Sequence, residues 1–374
     1  MNKIVLLFFI VFSFTLEAKY LDTQTCKECH EDIHYEHTQS MHHKSSLFKD
    51  EVHAKVKNAV NKKKYACALC HMPGSSNLRA LIKGDQQPNE RDQRQLDGVS
   101  CYYCHQIKDI YHTQKYNINI SSAKDTQKPT MYGNLVDPDD SDKHKAASNE
   151  IYKNSQVCMG CHSHKQNGLG FEVCRTQEKE APQSDCIKCH MPKADGGNEK
   201  FNKKGRSQYA THRFLGIHSP EMVKKAVKLD LEYNKKESLL KVTITNMMGH
   251  YIITHPMRLK FVKTVIKRDG KVIWSNFTKS PIEDKEATFL IVLKDKDNKP
   301  TIPNKAVGYK INQNLKAKTT KIVTYKVPKL QKGDEVISEW VSYIINPKIA
   351  KKLDITTAKI VKPIIGTKES LYIY

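Results

Sequence analysis

The chain has 374 residues, room for two domains of ordinary size. Its formal net charge of +22 comes from lysines spread along the whole length, which reads as a solvated surface with a basic bias and argues against a nucleic-acid-binding arm. The hydrophobic share of 39% (Tyr counted, Gly not) is lean beside the roughly 45–50% of typical globular domains, which counts Gly.

Residues 1–18 read as a secretory signal. Lys3 supplies a positive start, Ile4 to Leu16 is apolar, and Ala18 offers a small residue for cleavage before Lys19. This apolar run is short for a membrane span, and no later stretch is apolar enough to cross one. The expectation is an exported, soluble, periplasmic protein, which also argues against nucleic acid as a partner.

From residue 19 the chain is crowded with cysteine and histidine. Ten of the eleven cysteines fall into five Cys-x-x-Cys pairs, each followed at once by histidine: "CKECH" (Cys26, Cys29, His30), "CALCH" (Cys67, Cys70, His71), "CYYCH" (Cys101, Cys104, His105), "CMGCH" (Cys158, Cys161, His162) and "CIKCH" (Cys186, Cys189, His190). A chain of this composition would show about 0.015 such matches by chance, so five are a design. On one helical turn, positions i, i+3 and i+4 share a face. Two sulfurs there can form thioethers to one porphyrin edge, and the adjacent histidine reaches the iron as proximal ligand. Zinc ribbons and disulfide frameworks also use paired cysteines, but neither needs a histidine fixed after every pair. The pattern therefore predicts five covalently attached haem c groups. Their macrocycles would supply missing core, and their propionates would pair with part of the excess lysine and arginine.

Cys174, in "FEVCRT", stands outside the pattern. A small buried residue is its ordinary reading. A thiolate ligand or reactive thiol, aided by Arg175, is the alternative.

Each proximal histidine leaves one iron face for a second ligand. Twelve of the seventeen histidines remain for that role, so supply does not limit bis-histidine ligation. Met72 and Met191 follow proximal histidines directly and cannot turn back to the opposite face. The second ligand must come from another segment folding over the haem, which locks the haems into one cluster.

The stretch "CKECHEDIHYEHTQSMHH" resembles the multihaem cytochromes with a cytochrome c-554/c-552 domain. His37 stands where that family usually has Trp, while Ser40 and His42 match. "DGVSCYYCHQI" is similar to the family's Gly-Val-x-Cys block, and "MYGNLVDPDDSDKH" ends on His144, where relatives often carry a histidine. "CIKCHMP" and "THRFLGIHSPEM" resemble the closing haem block, whose histidine corresponds to His212; "EVCRTQEKE" departs from the family's Thr-Tyr-x-Glu-Trp run. The resemblance covers about residues 22–222 and implies distal ligation by His42, His144, His212 and, from a weaker Gly-His match, His250. His218 and His112 compete for a fifth place.

The expected fold class is α + β in two domains: short helices and loops around five c-type haems over 19–222, then an immunoglobulin-like all-β sandwich over 223–374. "SPEMVKKAVKL" reads as a helix with Ser219 as N-cap and Pro220 in the first turn, closing the haem region. From Leu229 the period becomes two, giving some seven short strands, with "RDGK" as a hairpin turn. Lysines alternating with apolar residues in 258–267 suggest a solvated outer face. If 242–255 ran as one strand, His250 and His255 would face opposite ways, so at most one would meet the haems. His250 is the one expected to do so; His255 reads as structural.

Two functions compete. One is an electron carrier between redox partner proteins, with mostly bis-histidine haems and no catalytic residue. A transient membrane-surface or quinol-oxidising partner is compatible with it. The other is a multihaem oxidoreductase of a small nitrogen or sulfur species at one open haem. Pentahaem nitrite reductases share the haem count but carry lysine in the catalytic motif, and here all five motifs end in histidine.

Overall fold

The computed structural model describes residues 20–122, 128–176, 186–196 and 204–374. The signal expected over 1–18 lies outside them. Among the described residues no helix is long and apolar enough to cross a membrane.

Up to residue 219 the chain forms short helices, turns and two-stranded ribbons. Each Cys-x-x-Cys-His motif lies on a helical turn. Backbone bonds from the histidine nitrogen to the first cysteine oxygen close three of these turns, at 3.0 Å for His30, 3.1 Å for His71 and 2.8 Å for His162. Asp22 caps the first (2.7 Å to the Thr25 nitrogen) and Ser100 the third (3.1 Å to the Tyr103 nitrogen). Asp50 caps the longer helix Glu51–Val60 through the His53 nitrogen.

The helix Pro220–Lys225 starts as expected, with Ser219 accepting from the Met222 nitrogen and Pro220 in the first turn. It packs on the sandwich: Val223 and Ala226 share a core with Val227 and Trp340. Gly366 lets the last strand pass underneath, since a Cβ there would stand 2.6 Å from Trp340 Cδ1 and 2.9 Å from the Val223 oxygen. Thr367 Oγ1 ties the crossing by donating to the Lys224 and Val227 oxygens.

Two antiparallel sheets follow. The smaller orders Thr320–Lys326, Leu239–Asn246 and Val227–Asn234. The larger runs from Pro300–Thr301 through Thr288–Lys294, Leu259–Arg268 and Glu335–Tyr343 to Ile364–Tyr372, with Lys271–Ser275 and Gly308–Gln313 paired beside it. Leu240, Val242 and Ile244 of the small sheet meet Val262, Ile266, Phe289 and Trp340 of the large one. The expected sandwich is present, with ten strands among the described residues rather than seven. The "RDGK" hairpin forms as read, with Asp269 and Gly270 both at positive φ (50° and 74°), as a tight hairpin needs.

Two strand expectations need correction. The strand carrying Val242 ends at Asn246, and 247–258 is a loop, so the face argument for His250 and His255 does not apply. Strand Leu259–Arg268 is central and buried, so Lys260 is not on a solvated face: it is 6% exposed and donates to the Ile252 oxygen at 2.8 Å.

The sandwich meets the first half at several places. Ile345, Ala350 and Ile355 pack with Val52 and Met257, and Thr357 donates to Glu51. Asn167 Nδ2 donates to the Pro303 and Ala306 oxygens at 2.9 and 2.7 Å. Between these contacts lies a large cavity.

Candidate haem-binding site

That cavity, about 2550 Å³, is lined by all ten motif cysteines and all five motif histidines. None of the eleven cysteines forms a disulfide. Among the described residues, no three His, Cys, Asp or Glu side chains converge to hold a bare metal ion, which argues against a zinc ribbon. Thiols of different motifs lie close enough to perturb one another: Cys26 with Cys101, Cys70 with Cys161, and Cys158 with Cys186. The motif edges are thus brought together in pairs.

Four motif histidines have a second histidine opposite them. Ring centroids are 6.4 Å apart for His30 and His144, 5.9 Å for His162 and His42, 6.1 Å for His105 and His212, and 6.5 Å for His190 and His250. Metal–imidazole bonds of about 2 Å on both faces of one iron would separate two ring centroids by about 6 Å. The four pairs therefore fit a haem between them.

Local hydrogen bonds set five of these eight histidine rings. His144 Nδ1 faces the Lys145 oxygen (3.1 Å), His212 Nδ1 the Ala210 oxygen (2.8 Å) and His250 Nδ1 the Tyr251 oxygen (2.9 Å). A proton on Nδ1 leaves Nε2 as the free lone pair, the form a metal takes. On the proximal side, His105 Nδ1 donates to the Tyr132 oxygen at 2.6 Å and His190 Nδ1 to the Leu215 oxygen at 2.5 Å. Burial, reinforced by neighbouring imidazoles, pushes His42 and His212 down to about 3. Burial pushes His250 down to about 4. All three stay neutral at pH 7, as ligands must.

Backbone geometry aims them too. The His42 oxygen accepts from the Val99 nitrogen (3.0 Å) and Ser45 Oγ (2.8 Å). Gly98, at φ 61°, makes that approach feasible, because a Cβ there would lie 2.7 Å from the same oxygen. Glu36 holds the His212 nitrogen (2.8 Å) and the Tyr209 hydroxyl (3.1 Å). Asn246, fully buried, donates to the His250, Leu315 and Lys316 oxygens and accepts from the Met248 nitrogen. Asn246 and Glu36 escaped sequence reasoning. For Asn246 the only trace is "TN" closing a strand before "MMGH", and Glu36 has the pattern of an ordinary surface acid on a helix.

The second motif differs. His71 has His53 beside it with ring centroids only 3.8 Å apart, too close for an iron between. Both His53 nitrogens are engaged, Nδ1 with the Ser45 oxygen and Nε2 with the Tyr65 hydroxyl. His71 lines the cavity and His53 does not, so His53 backs His71. The two competitors for a fifth place are not brought to His71 as ring partners among the described residues. His218 lines the cavity without stacking on a motif histidine, and His112 is exposed.

Cys174 sits opposite Lys165 across the pair His164–Gln166 and Glu172–Arg175, on the cavity wall. Partial burial raises its thiol above the usual range, against the pull of Lys165, which favours the thiol over the thiolate at this half-buried position.

Residues 25–106 match the family described as cytochrome c554 and c-prime. The crystal structure of a penta-heme cytochrome c552 from Thermochromatium tepidum is similar over 94% of this chain and 99% of that one. Its TM-score is 0.78 at 23% identity. No curated protein matches the chain. The attachment motifs on one cavity wall, the opposed histidines, the family match over residues 25–106 and the shared fold make the chain similar to multihaem c-type cytochromes, with a β-sandwich at its C-terminal end.

Proposed function

We propose that the protein holds five haem c groups, one at each Cys-x-x-Cys-His motif, and carries electrons between redox partner proteins of the periplasm. The four opposed histidine pairs carry this reading. Six-coordinate haems change redox state with little rearrangement, and bis-histidine ligation favours lower potentials than methionine–histidine ligation. Proximity of motif cysteines supports a linked array: the first motif lies beside the third, the fourth beside both the second and the fifth, and Cys104 of the third is near enough to Cys158 and Cys161 of the fourth to join the two groups. Five haems by mass and pyridine haemochrome assay, with four low-spin haems by EPR, are expected. Fewer than four low-spin haems would refute it.

A second activity is supported by one observation: among the described residues no histidine ring stands opposite His71 as one does at the other four motifs. That haem has an open face, where a small nitrogen or sulfur species can bind. One high-spin ferric haem that binds nitrite or hydroxylamine, and carbon monoxide when reduced, is expected. Wholly low-spin spectra unchanged by all three leave the carrier function alone.

A further inference from the structure

Lys260 is buried and Arg258 half-buried, with no acid among the described residues to balance them. Among the described residues neither pairs with a carboxylate. Arg258 donates to Thr254 Oγ1 at 3.1 Å and Lys260 to the Ile252 oxygen at 2.8 Å. Burial alone lowers Arg258 only to about 10, so it remains a cation at neutral pH. Lys260, pressed by burial and by Arg258, is lowered to about 7. A buried charge is tolerable only when paired.

Both residues line the cavity. So does Ser342, fully buried, whose Oγ has no hydrogen-bond partner. Ser342 pairs directly with Lys260 across the sheet, so these two share one face, and Arg258, in the loop just before that strand, lines the same cavity. The field of Lys260 and Arg258 reaches His250, together with that of His190. A guanidinium, an amine and an unused hydroxyl thus open onto the chamber of the His190–His250 pair.

We propose that Arg258, Lys260 and Ser342 form a carboxylate-binding site for the propionates of the haem attached at Cys186 and Cys189. The sandwich then gives that haem both its second axial histidine and its counter-charge. Two carboxylates satisfy the two cations, and the serine hydroxyl donates to one of them. Because reduction adds negative charge, the cations hold this haem's potential up. The inference rests on the assignment of His190 and His250 to one haem, which His250→Ala tests separately by turning one low-spin signal high-spin.

The decisive measurement is a spectroelectrochemical titration of the full-length holoprotein, followed by EPR. In Arg258→Gln/Lys260→Gln the haem lost from the low-spin set in His250→Ala should become harder to reduce by about tenfold, a fall of about 59 mV for one electron. The other haems should hold their potentials, and Lys260→Arg should restore most of the shift. Unchanged potentials in the double variant overturn the proposal. Should that variant fail to accumulate with all haems, Ser342→Ala, which removes no charge, carries the test. It should move the same potential the same way by less, and no movement overturns the site. Nitrite and sulfite are the controls for an exchangeable anion. A shift of this haem's potential by either, absent from the double variant, would overturn the propionate assignment; indifference to both supports it.

Discussion

In the sandwich, eighteen buried side chains from Val223 to Trp340 interlock into one apolar core. Between residues 20 and 222, the corresponding apolar cluster among the described residues is Tyr65, Ala68, Met72 and Leu81. The first half instead surrounds a cavity walled by cysteine and histidine. One half is built around side chains and the other around a cofactor, which accounts for the lean hydrophobic composition. The comparison can be broken most completely by replacing all ten motif cysteines with alanine. The first half should then lose amide protection throughout, while the sandwich stays folded. Both tryptophans, Trp274 and Trp340, lie in the sandwich, so their fluorescence reports that half alone. Buried-type emission with a cooperative unfolding transition is expected. Loss of that transition would mean that the sandwich also depends on the haems.

The converse change is Trp340→Ala. Trp340 is fully buried against Phe289, ring centroids 5.7 Å apart. Its removal should cost the sandwich about 3–5 kcal/mol in denaturant titrations. The three pairs built wholly from the first half should keep their low-spin spectra; the His190–His250 pair should weaken first, because its distal histidine belongs to the sandwich.

Sequence legibility divides along the same line. The motifs could be read directly, because thioether attachment fixes residue types and spacing within one turn. His42, His144 and His212 were reachable through resemblance, and the structure sets each opposite a motif histidine. What could not be read is what depends on distant chain. Lys260 has the alternation of an outward lysine, but its strand is paired on both sides and its side chain turns under the 247–258 loop toward the cavity. His53 has the composition of a ligand and sits behind His71 instead. The helix at Pro220 was legible from its cap, whereas its seat on the sandwich depends on Gly366, about 140 residues later.

At the boundary between the halves, Asn246→Ala should remove three donations to carbonyls of the His250 and Leu315 loops. A loss of about 1–3 kcal/mol is expected. One low-spin haem should become partly high-spin, matching the signal lost in His250→Ala. A variant with wild-type spectra would mean that the loop holds His250 without Asn246. Within the first half, Gly98→Ala forces a Cβ toward the His42 oxygen at positive φ, costing about 1–2 kcal/mol. Its spectral change should fall on the His162–His42 pair and leave tryptophan-monitored unfolding unaltered.

The smallest effect is expected where the halves meet at the surface. Lys55 and Asp354 form an ion pair at 3.3 Å, with side chains 41% and 86% exposed. Pairs so exposed contribute about 0–1 kcal/mol and are screened by salt. Beneath it, Ile345, Ala350 and Ile355 pack against Val52 and Met257, burying apolar surface that salt does not weaken. Lys55→Ala should therefore leave stability, haem spectra and their salt dependence close to wild type. Ile355→Ala, which opens a gap in the buried cluster, should loosen the contact and raise amide exchange in both Glu51–Val60 and Pro347–Lys352. If the lysine variant proved the more disruptive, charge rather than apolar packing would hold this part of the interface, and the contrast between the halves would end at their surfaces.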